Sequence, residues 1–236
     1  MNNMAAIIVA AGRSQRMGGN DKQLRTIGDL PVLARTVAAF EACPHVDAIV
    51  VVLNPDNMAG AAEMHSTFGW SKVIAIVPGG ELRQDSVEAG LRVVADQEQN
   101  GQGYEWVAVH DGARPMVTPE LISRGWEAAQ ESGAAIAAIQ TTDTVKTADA
   151  TGTITGTLER SNLWLAQTPQ IFRLSLLLGA YDALSQSTEP LHATDCARVV
   201  ELSGHAVKIF EGEVTNIKIT TPIDLLIAEA ILKGRR

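Results

Sequence analysis

Hydrophobic positions in this chain fall into short, nearly continuous runs separated by amphipathic stretches. That spacing predicts strands alternating with helices. The runs are AAIIVAA (5–11), AIVVVL (48–53), KVIAIV (72–77), EWVAVH (105–110), AAIAAI (134–139) and AVKIF (206–210). Most are apolar throughout, as in strands buried on both faces of a parallel sheet. Between them, DSVEAGLRVVAD (85–96) sets Val87, Leu91 and Val94 at helical spacing. TPELISRGWEAAQES (118–132) opens with a Thr cap and a Pro at the first helical position. TPIDLLIAEAILKG (221–234) repeats the device, with Thr221 as cap, Pro222 next, Asp224 in the first turn and Gly234 at the end. The order predicts an α/β sandwich with a mostly parallel sheet. No repeat, low-complexity tract or linker divides residues 1–236, so one domain is expected.

Residues 140–172, QTTDTVKTADATGTITGTLERSNLWLAQTPQIF, break the alternation. They are rich in Thr and Gly and carry no helical pattern. TADATGTITGTLE reads as a hairpin with DATG or ITG as its turn. Inside a parallel α/β domain such a hairpin has no evident partner strand. Two readings stand side by side: a surface flap, or an arm that packs on a second subunit.

Composition narrows the class. Of 236 residues, 46% are hydrophobic and 19% charged, which suits a water-soluble fold with a substantial core. No apolar run is long enough to span a bilayer. The opening MNNMAAIIVAAG lacks the basic region of a secretory leader, so a cytoplasmic protein is expected. Cys43 and Cys196 lie far apart without ligand spacing and read as reduced, buried small hydrophobes. The formal net charge of −8 argues against duplex nucleic acid as partner. Basic residues that matter must therefore act locally.

The first strand runs into AIIVAAGRSQRMGGNDKQL (6–24). A dinucleotide fingerprint needs G-x-G-x-x-G and an acidic end to the next strand. Here the loop reads Gly12-Arg13-Ser14-Gln15-Arg16-Met17-Gly18, and AIVVVL ends in Asn-Pro. No G-K-[ST] follows, which excludes a P-loop. Backbone N–H groups of Ala11 and Gly12 can face an anion, with Arg16 and Lys22 flanking a triphosphate. The plainer reading is a surface turn with two solvated cations. VAVHDGARP (107–115) puts His110, Asp111 and Arg114 past a strand end, where open α/β sheets bind ligands. An Asp there can hold Mg²⁺, ribose or a hydroxyl, and an Arg can take a phosphate bidentately. The alternatives are an Asp111–Arg114 ion pair and a structural His110. NIKIT (216–220) reads as a short edge strand presenting Lys218, which taken alone suits a solvated lysine.

Together these segments resemble the 2-C-methyl-D-erythritol 4-phosphate cytidylyltransferases, nucleotidyltransferases with a Rossmann-like core. The resemblance rests on AAGRSQRM (10–17), DKQL (21–24), GGELRQDSV (79–87), VHDGARP (109–115), DTVK (143–146), ERSNLW (159–164), QTPQ (167–170), TD (194–195) and NIKIT (216–220), in order along the chain. It implies transfer of CMP from CTP to methylerythritol phosphate with release of pyrophosphate. On this resemblance Ala10, Ala11, Gly12, Arg16 and Lys22 would wrap CTP. Gly80, Glu81, Arg83 and Ser86 would read the cytosine, and Gly112 would admit the ribose. Asp111, Arg114, Thr144, Arg160, Thr168, Thr194 and Lys218 would hold the methylerythritol phosphate. Arg16, Lys22 and Lys218 would carry catalysis. Mg²⁺ would ride mainly on the CTP phosphates, with no dedicated protein metal site. The segment 140–172 would be a β-arm that makes a homodimer and completes the neighbour's site. Val9 and Asp21 stand where many relatives have proline, Leu24 where tyrosine is common, Ser14 where glycine is, and Cys196 where an acid is usual. A cytidylyltransferase for ribitol 5-phosphate and a non-catalytic nucleotide-binding module are the competing readings.

Overall fold

The computed structural model describes residues 3–12, 22–99, 101, 103–186 and 193–235. In chain order the elements are β1 (Met4–Ala10), β2 (Thr26–Ile27), β3 (Leu30–Pro31), α1 (Val32–Ala42), β4 (Val46–Leu53), α2 (Met58–Phe68), β5 (Val73–Pro78), α3 (Arg83–Gln99), β6 (Trp106–Asp111) and α4 (Pro119–Ser132). They continue with β7 (Ala134–Gln140), β8 (Lys146–Ala148), β9 (Ile154–Thr157), β10 (Trp164–Arg173), α5 (Leu174–Ser185), α6 (Cys196–Leu202), β11 (Lys208–Glu211) and α7 (Pro222–Gly234). Seven strands form one sheet in the order β11-β7-β10-β6-β1-β4-β5. All run parallel except β10, which is antiparallel to both β6 and β7.

The six hydrophobic runs become β1, β4, β5, β6, β7 and β11. β1, β4, β6 and β7 are largely buried because helices cover both faces, whereas β5 and β11, at the sheet edges, are more exposed. Met4, Ala6, Ile8 and Ala10 of β1 face a core with Leu33, Val37 and Phe40 of α1 and Leu121 and Ile122 of α4. Ala5 and Ile7 face the other side, with Val87, Leu91 and Val94 of α3 and Leu177 and Tyr181 of α5. A small third cluster of Ile27, Val32, Met116, Ile219 and Ala228 seats α7.

The helices legible in the sequence include those with side-chain start signals. Thr118 Oγ1 accepts from the Leu121 N–H at 3.1 Å at the head of α4, and Thr221 and Asp224 form a capping box on α7. By contrast α1, α2 and α5 begin without a side-chain cap. Their stability comes from packing an apolar face, which leaves no boundary signal.

Two expectations change. Residues 164–172 of the presumed arm belong to β10, inserted between β6 and β7 in the main sheet. The excursion is thus 141–163, where β8 and β9 pair with each other in a separate two-stranded sheet. Its turn is DATG: Asp149 Oδ1 accepts from the N–H groups of Thr151 and Thr153, and Gly152 has φ +86°. NIKIT, in turn, is not a strand. The Ile219 N–H bonds the Ala113 carbonyl at 2.8 Å, and Asp224 captures the backbone N–H groups of Thr220 and Thr221, so no ladder forms.

The contact of α3 with the sheet is tight enough to test. A Cβ at Gly90 would lie 2.5 Å from Ile7 Cγ2 and 3.2 Å from Val52 Cγ2. Overpacking of this kind costs about 1–3 kcal/mol, against a few tenths gained from helix propensity. Gly90→Val should therefore lower the urea midpoint, and an unchanged or raised midpoint would show that α3 does not press on β1 as described.

Candidate active site

Strand order reverses direction about β1, whose neighbours are β4 on one side and β6 on the other. Loops leaving β1 and β6 therefore part there and open a crevice at the carboxyl ends of the strands. A cavity of about 170 Å³ lies in it. Its walls are the end of β1 with Ala10, Ala11 and Gly12, then Lys22 and Gln23, the turn Gly80–Arg83 with Ser86, and Asp111 with Lys218. Ten of the residues named from the sequence thus meet in one place, although they come from five separate stretches of chain.

Asp111 organises the floor. Its carboxylate is 2.8 Å from Lys218 Nζ, 3.3 Å from Arg83 Nε and 3.6 Å from Arg114 Nε. Burial works against the charge on Asp111, but Arg83, Lys218 and Arg114 outweigh it and hold the carboxyl well below the usual carboxylate range. One anion cannot neutralise three cations, so the crevice keeps a surplus of positive charge inside an acidic protein. Burial also opposes the charge on Arg83, yet the Asp111 carboxylate beside it keeps the guanidinium protonated. Its Nη2 is buried and hydrogen-bonds to nothing among the described residues. Burial pushes the Cys196 thiol up, so an uncharged sulfur meets Arg83 Nη1 at 3.6 Å and the Tyr181 hydroxyl at 3.7 Å.

Beneath the carboxylate lies a buried polar network. The Asp111 N–H donates to Thr168 Oγ1 at 3.1 Å, and the Thr168 hydroxyl lies 2.9 Å from His110 Nδ1. His110 Nε2 faces the Arg114 carbonyl at 3.3 Å. A carbonyl can only accept, so Nε2 carries the proton and Nδ1 accepts from Thr168. Arg114 Nη1 donates to the Asn216 carbonyl at 2.8 Å, and Asn216 Nδ2 returns a bond to the Thr168 carbonyl at 2.8 Å. Gln167 ties Glu213 through its side-chain amide, and Gln170 accepts from the N–H groups of Cys196 and Ala197. The β10 register shifts between Ala166 and Gln170, an irregularity of the kind that re-aims side chains toward a site.

The remaining expected residues sit as follows. Ser86 is buried in the first turn of α3, and Glu81 is exposed at the rim. At Gly112 a Cβ would come within 2.8 Å of Ala10 Cβ, so this glycine is required by the close approach of the β1 and β6 ends. The Gly112 carbonyl accepts from Thr36 Oγ1 at 2.9 Å. Thr194 is exposed, two residues before Cys196. Thr168 lies under Asp111, 3% exposed, and does not line the cavity. Thr144 and Arg160 are exposed on the excursion, where Arg160 Nη1 bonds the Thr142 carbonyl, and neither lines the cavity of its own chain. Arg16 lies outside the described residues. Sequence reading passed over Thr36, and it assigned no role to Gln167, Gln170 or Asn216 within QTPQ and NIKIT. Only their buried bonds reveal one.

An anion-seeking crevice at the switch point of a mostly parallel sheet is the kind of site at which α/β proteins bind nucleotide phosphates. Comparison with known proteins narrows this. Residues 4–234 match the family model for 2-C-methyl-D-erythritol 4-phosphate cytidylyltransferase. An enzyme of that name from Dehalococcoides mccartyi is 45% identical over 99% of this chain and 97% of the relative. A bifunctional enzyme from Desulforudis audaxviator is 46% identical over 99% of this chain and 58% of the relative. The crystal structure of the cytidylyltransferase from Francisella tularensis superposes with a TM-score of 0.79 at 32% identity, covering 97% and 99% of the two chains. The chain belongs to the 2-C-methyl-D-erythritol 4-phosphate cytidylyltransferase family.

The buried histidine predicts a pH signature. Burial pushes His110 down to about 3, with the charges of Arg114 and Arg83 acting in the same direction and Asp111 opposing. Between its ordinary value of 6.5 and about 3 the unfolded chain binds a proton that the native chain refuses. Stability is then full above about pH 6.5 and falls on acidification by up to ~1.4 kcal/mol per pH unit. Depression of Asp111 removes further stability only below about pH 4, where the unfolded carboxyl begins to protonate. Urea titrations across about pH 4–7 should show this slope, and His110→Asn should flatten it. A wild-type stability independent of pH over that window would contradict the buried neutral imidazole.

Proposed function

We propose that this chain transfers CMP from CTP to 2-C-methyl-D-erythritol 4-phosphate and releases pyrophosphate. The observation that carries this reading is the cavity at the β1/β6 switch point, where one carboxylate gathers three cations beside an alanine- and glycine-lined loop. The acceptor's phosphate oxygen bonds to the α-phosphorus of CTP, and the bond from that phosphorus to the β-phosphate bridging oxygen breaks in line. The acceptor is a phosphate monoester, largely ionised at neutral pH, so no general base has to remove a proton. The obstacle is repulsion between two polyanions, and fixed cations answer it.

In this reading Lys22, with Arg16, bears on the departing pyrophosphate. Lys218 lies between the α-phosphate and the acceptor phosphate. Asp111 holds Lys218, Arg83 and Arg114 in place so that little reorganisation accompanies reaction. The first turn of α3 and the Gly80–Glu81 turn contact the base. Among the described residues no cluster of three His, Cys, Asp or Glu side chains could cage a metal, and the oxygens of Asp111 already face cations. This donor set fits a magnesium ion held by CTP phosphate oxygens, where it would neutralise charge on the triphosphate.

The excursion at 141–163 supports a composite site. Ile154 is 62% exposed and Leu165, at its root, 54% exposed, an apolar surface that a second copy would cover. Thr144 and Arg160 would then serve the partner's crevice in a homodimer.

Pyrophosphate release with each nucleoside triphosphate, against methylerythritol phosphate and ribitol phosphate, tests the reading. CTP with methylerythritol phosphate should be strongly preferred, and equal rates with a purine triphosphate would defeat it. Subunit mixing tests the composite site. Lys22→Ala and Arg160→Ala should each be nearly inactive, because each removes a cation that acts on transition-state charge. Mixed and re-equilibrated, they should recover at most about a quarter of wild-type activity, since half of random dimers are mixed and each has one intact site. No recovery despite proven exchange would return Arg160 to its own subunit.

A further inference from the structure

We propose that His110 is a positioning residue for the transfer reaction: as an Nε2–H tautomer it commits the Thr168 hydroxyl proton to itself, so that Thr168 can only accept from the Asp111 amide, and thereby fixes the carboxylate that holds Arg83, Arg114 and Lys218. The inference rests on the proposed cytidylyl transfer for its kinetic consequences, while its geometric content stands apart from it.

His110 is fully buried at the end of β6, with the Phe40 ring 5.0 Å away. A solvent-excluded imidazole bonded on both nitrogens is a rigid spacer between whatever it touches. Here it touches two of the segments that build the crevice. Nδ1 takes the hydroxyl proton of Thr168, in the irregular stretch of β10, and Nε2 gives its proton to the Arg114 carbonyl, in the loop after β6. Asn216 closes the ring from the third segment, bonding the Thr168 carbonyl and receiving Arg114 on its own carbonyl. The hydroxyl has one proton. Donated to Nδ1, it is unavailable to a ligand, and the oxygen receives the Asp111 N–H at 3.1 Å. Thr168 therefore acts through Asp111, which agrees with its 3% exposure and its position beneath the cavity. The opposite tautomer would set a bare nitrogen against a carbonyl and leave Nδ1–H and the Asp111 amide both donating to the Thr168 oxygen, with the hydroxyl proton deprived of its acceptor. Burial pushes the imidazole down to about 3, so it is neutral near pH 7, and its two hydrogen-bond partners select the tautomer.

Three variants separate the bonds. His110→Phe keeps an aromatic ring against Phe40 and removes both bonds. His110→Asn keeps a side-chain oxygen that can accept from Thr168. Thr168→Val keeps the shape and removes the hydroxyl. In folded protein, His110→Phe and Thr168→Val should each lower kcat/KM for the acceptor phosphate about 100-fold, as for a misplacement near 1 Å, while the Kd for CTP moves by less than about threefold. The double variant should be no worse than either alone, because both break the same link. His110→Asn should stay within about tenfold of wild type, a conservative rescue that lost packing would not produce. A folded His110→Phe within about threefold of wild type would overturn the proposal, as would His110→Asn falling as far as His110→Phe. If His110→Phe does not fold, Thr168→Val decides alone: a folded variant with wild-type kcat/KM ends the proposal. Imidazole ¹⁵N shifts of the wild-type protein are read without turnover. Protonated Nε2 with bare Nδ1 supports the geometry, and protonated Nδ1 overturns it. Absence of CMP transfer by the wild-type chain would instead fall on the proposed function and leave this spectroscopic answer in force.

Discussion

Everything at the head of the sheet turns on one carboxylate. Asp111 ends β6 beside the end of β1, at the point where successive strands depart to opposite sides. Arg83 arrives from the first turn of α3, Arg114 from the loop after β6, and Lys218 from a segment near the end of the chain. Without the anion these three cations would repel one another in a partly desolvated crevice. With it they remain close, and their excess charge is left for a phosphate ligand to satisfy. The arrangement is local: the chain as a whole carries a net charge of −8.

The fold gives that carboxylate its stiffness by layers. Both faces of the sheet are sealed by helices, so β6 is fully buried and its end cannot drift. The amide of Asp111 is taken by Thr168, and Thr168 is held in turn by His110 and Asn216. Lys218 stands on a segment with no strand ladder, yet its neighbours Thr220 and Thr221 are pinned by Asp224 at the head of α7. Farther out, Glu213 receives Arg124 of α4 and Arg235 beyond α7. Irregular backbone is tolerated here because side chains satisfy the polar groups that a ladder would otherwise take.

Cys196 places a neutral side chain beside the Arg83 guanidinium. An acid at this position would offer Arg83 a second buried anion. The thiol instead stays protonated through burial and leaves Asp111 as the carboxylate partner of Arg83 among the described residues. The guanidinium keeps one buried nitrogen, Nη2, without a hydrogen-bond partner, beside the cavity that its residue lines.

From the sequence alone came the parallel α/β class, the six strands, most of them apolar on both sides, and the helices whose Thr-Pro starts mark their boundaries. Those features are local or periodic, so a window of residues contains them. The grouping of Ala10–Gly12, Lys22, Gly80–Ser86, Asp111 and Lys218 was legible as motifs in order, and as a family resemblance. Tertiary structure alone decided what depends on contacts between distant segments. β10 is a central strand because it fits between β6 and β7, although residues 164–172 read as part of an excursion. NIKIT has strand composition, yet Asp224 and Ala113 take its backbone groups. Thr168 falls beneath the carboxylate, where its one hydroxyl proton is already spoken for, and His110, a buried histidine bonded on both nitrogens, spans two segments of the crevice. No periodicity records such placements, because a hydrogen bond between residues 58 positions apart leaves its mark only where the chain has brought them together.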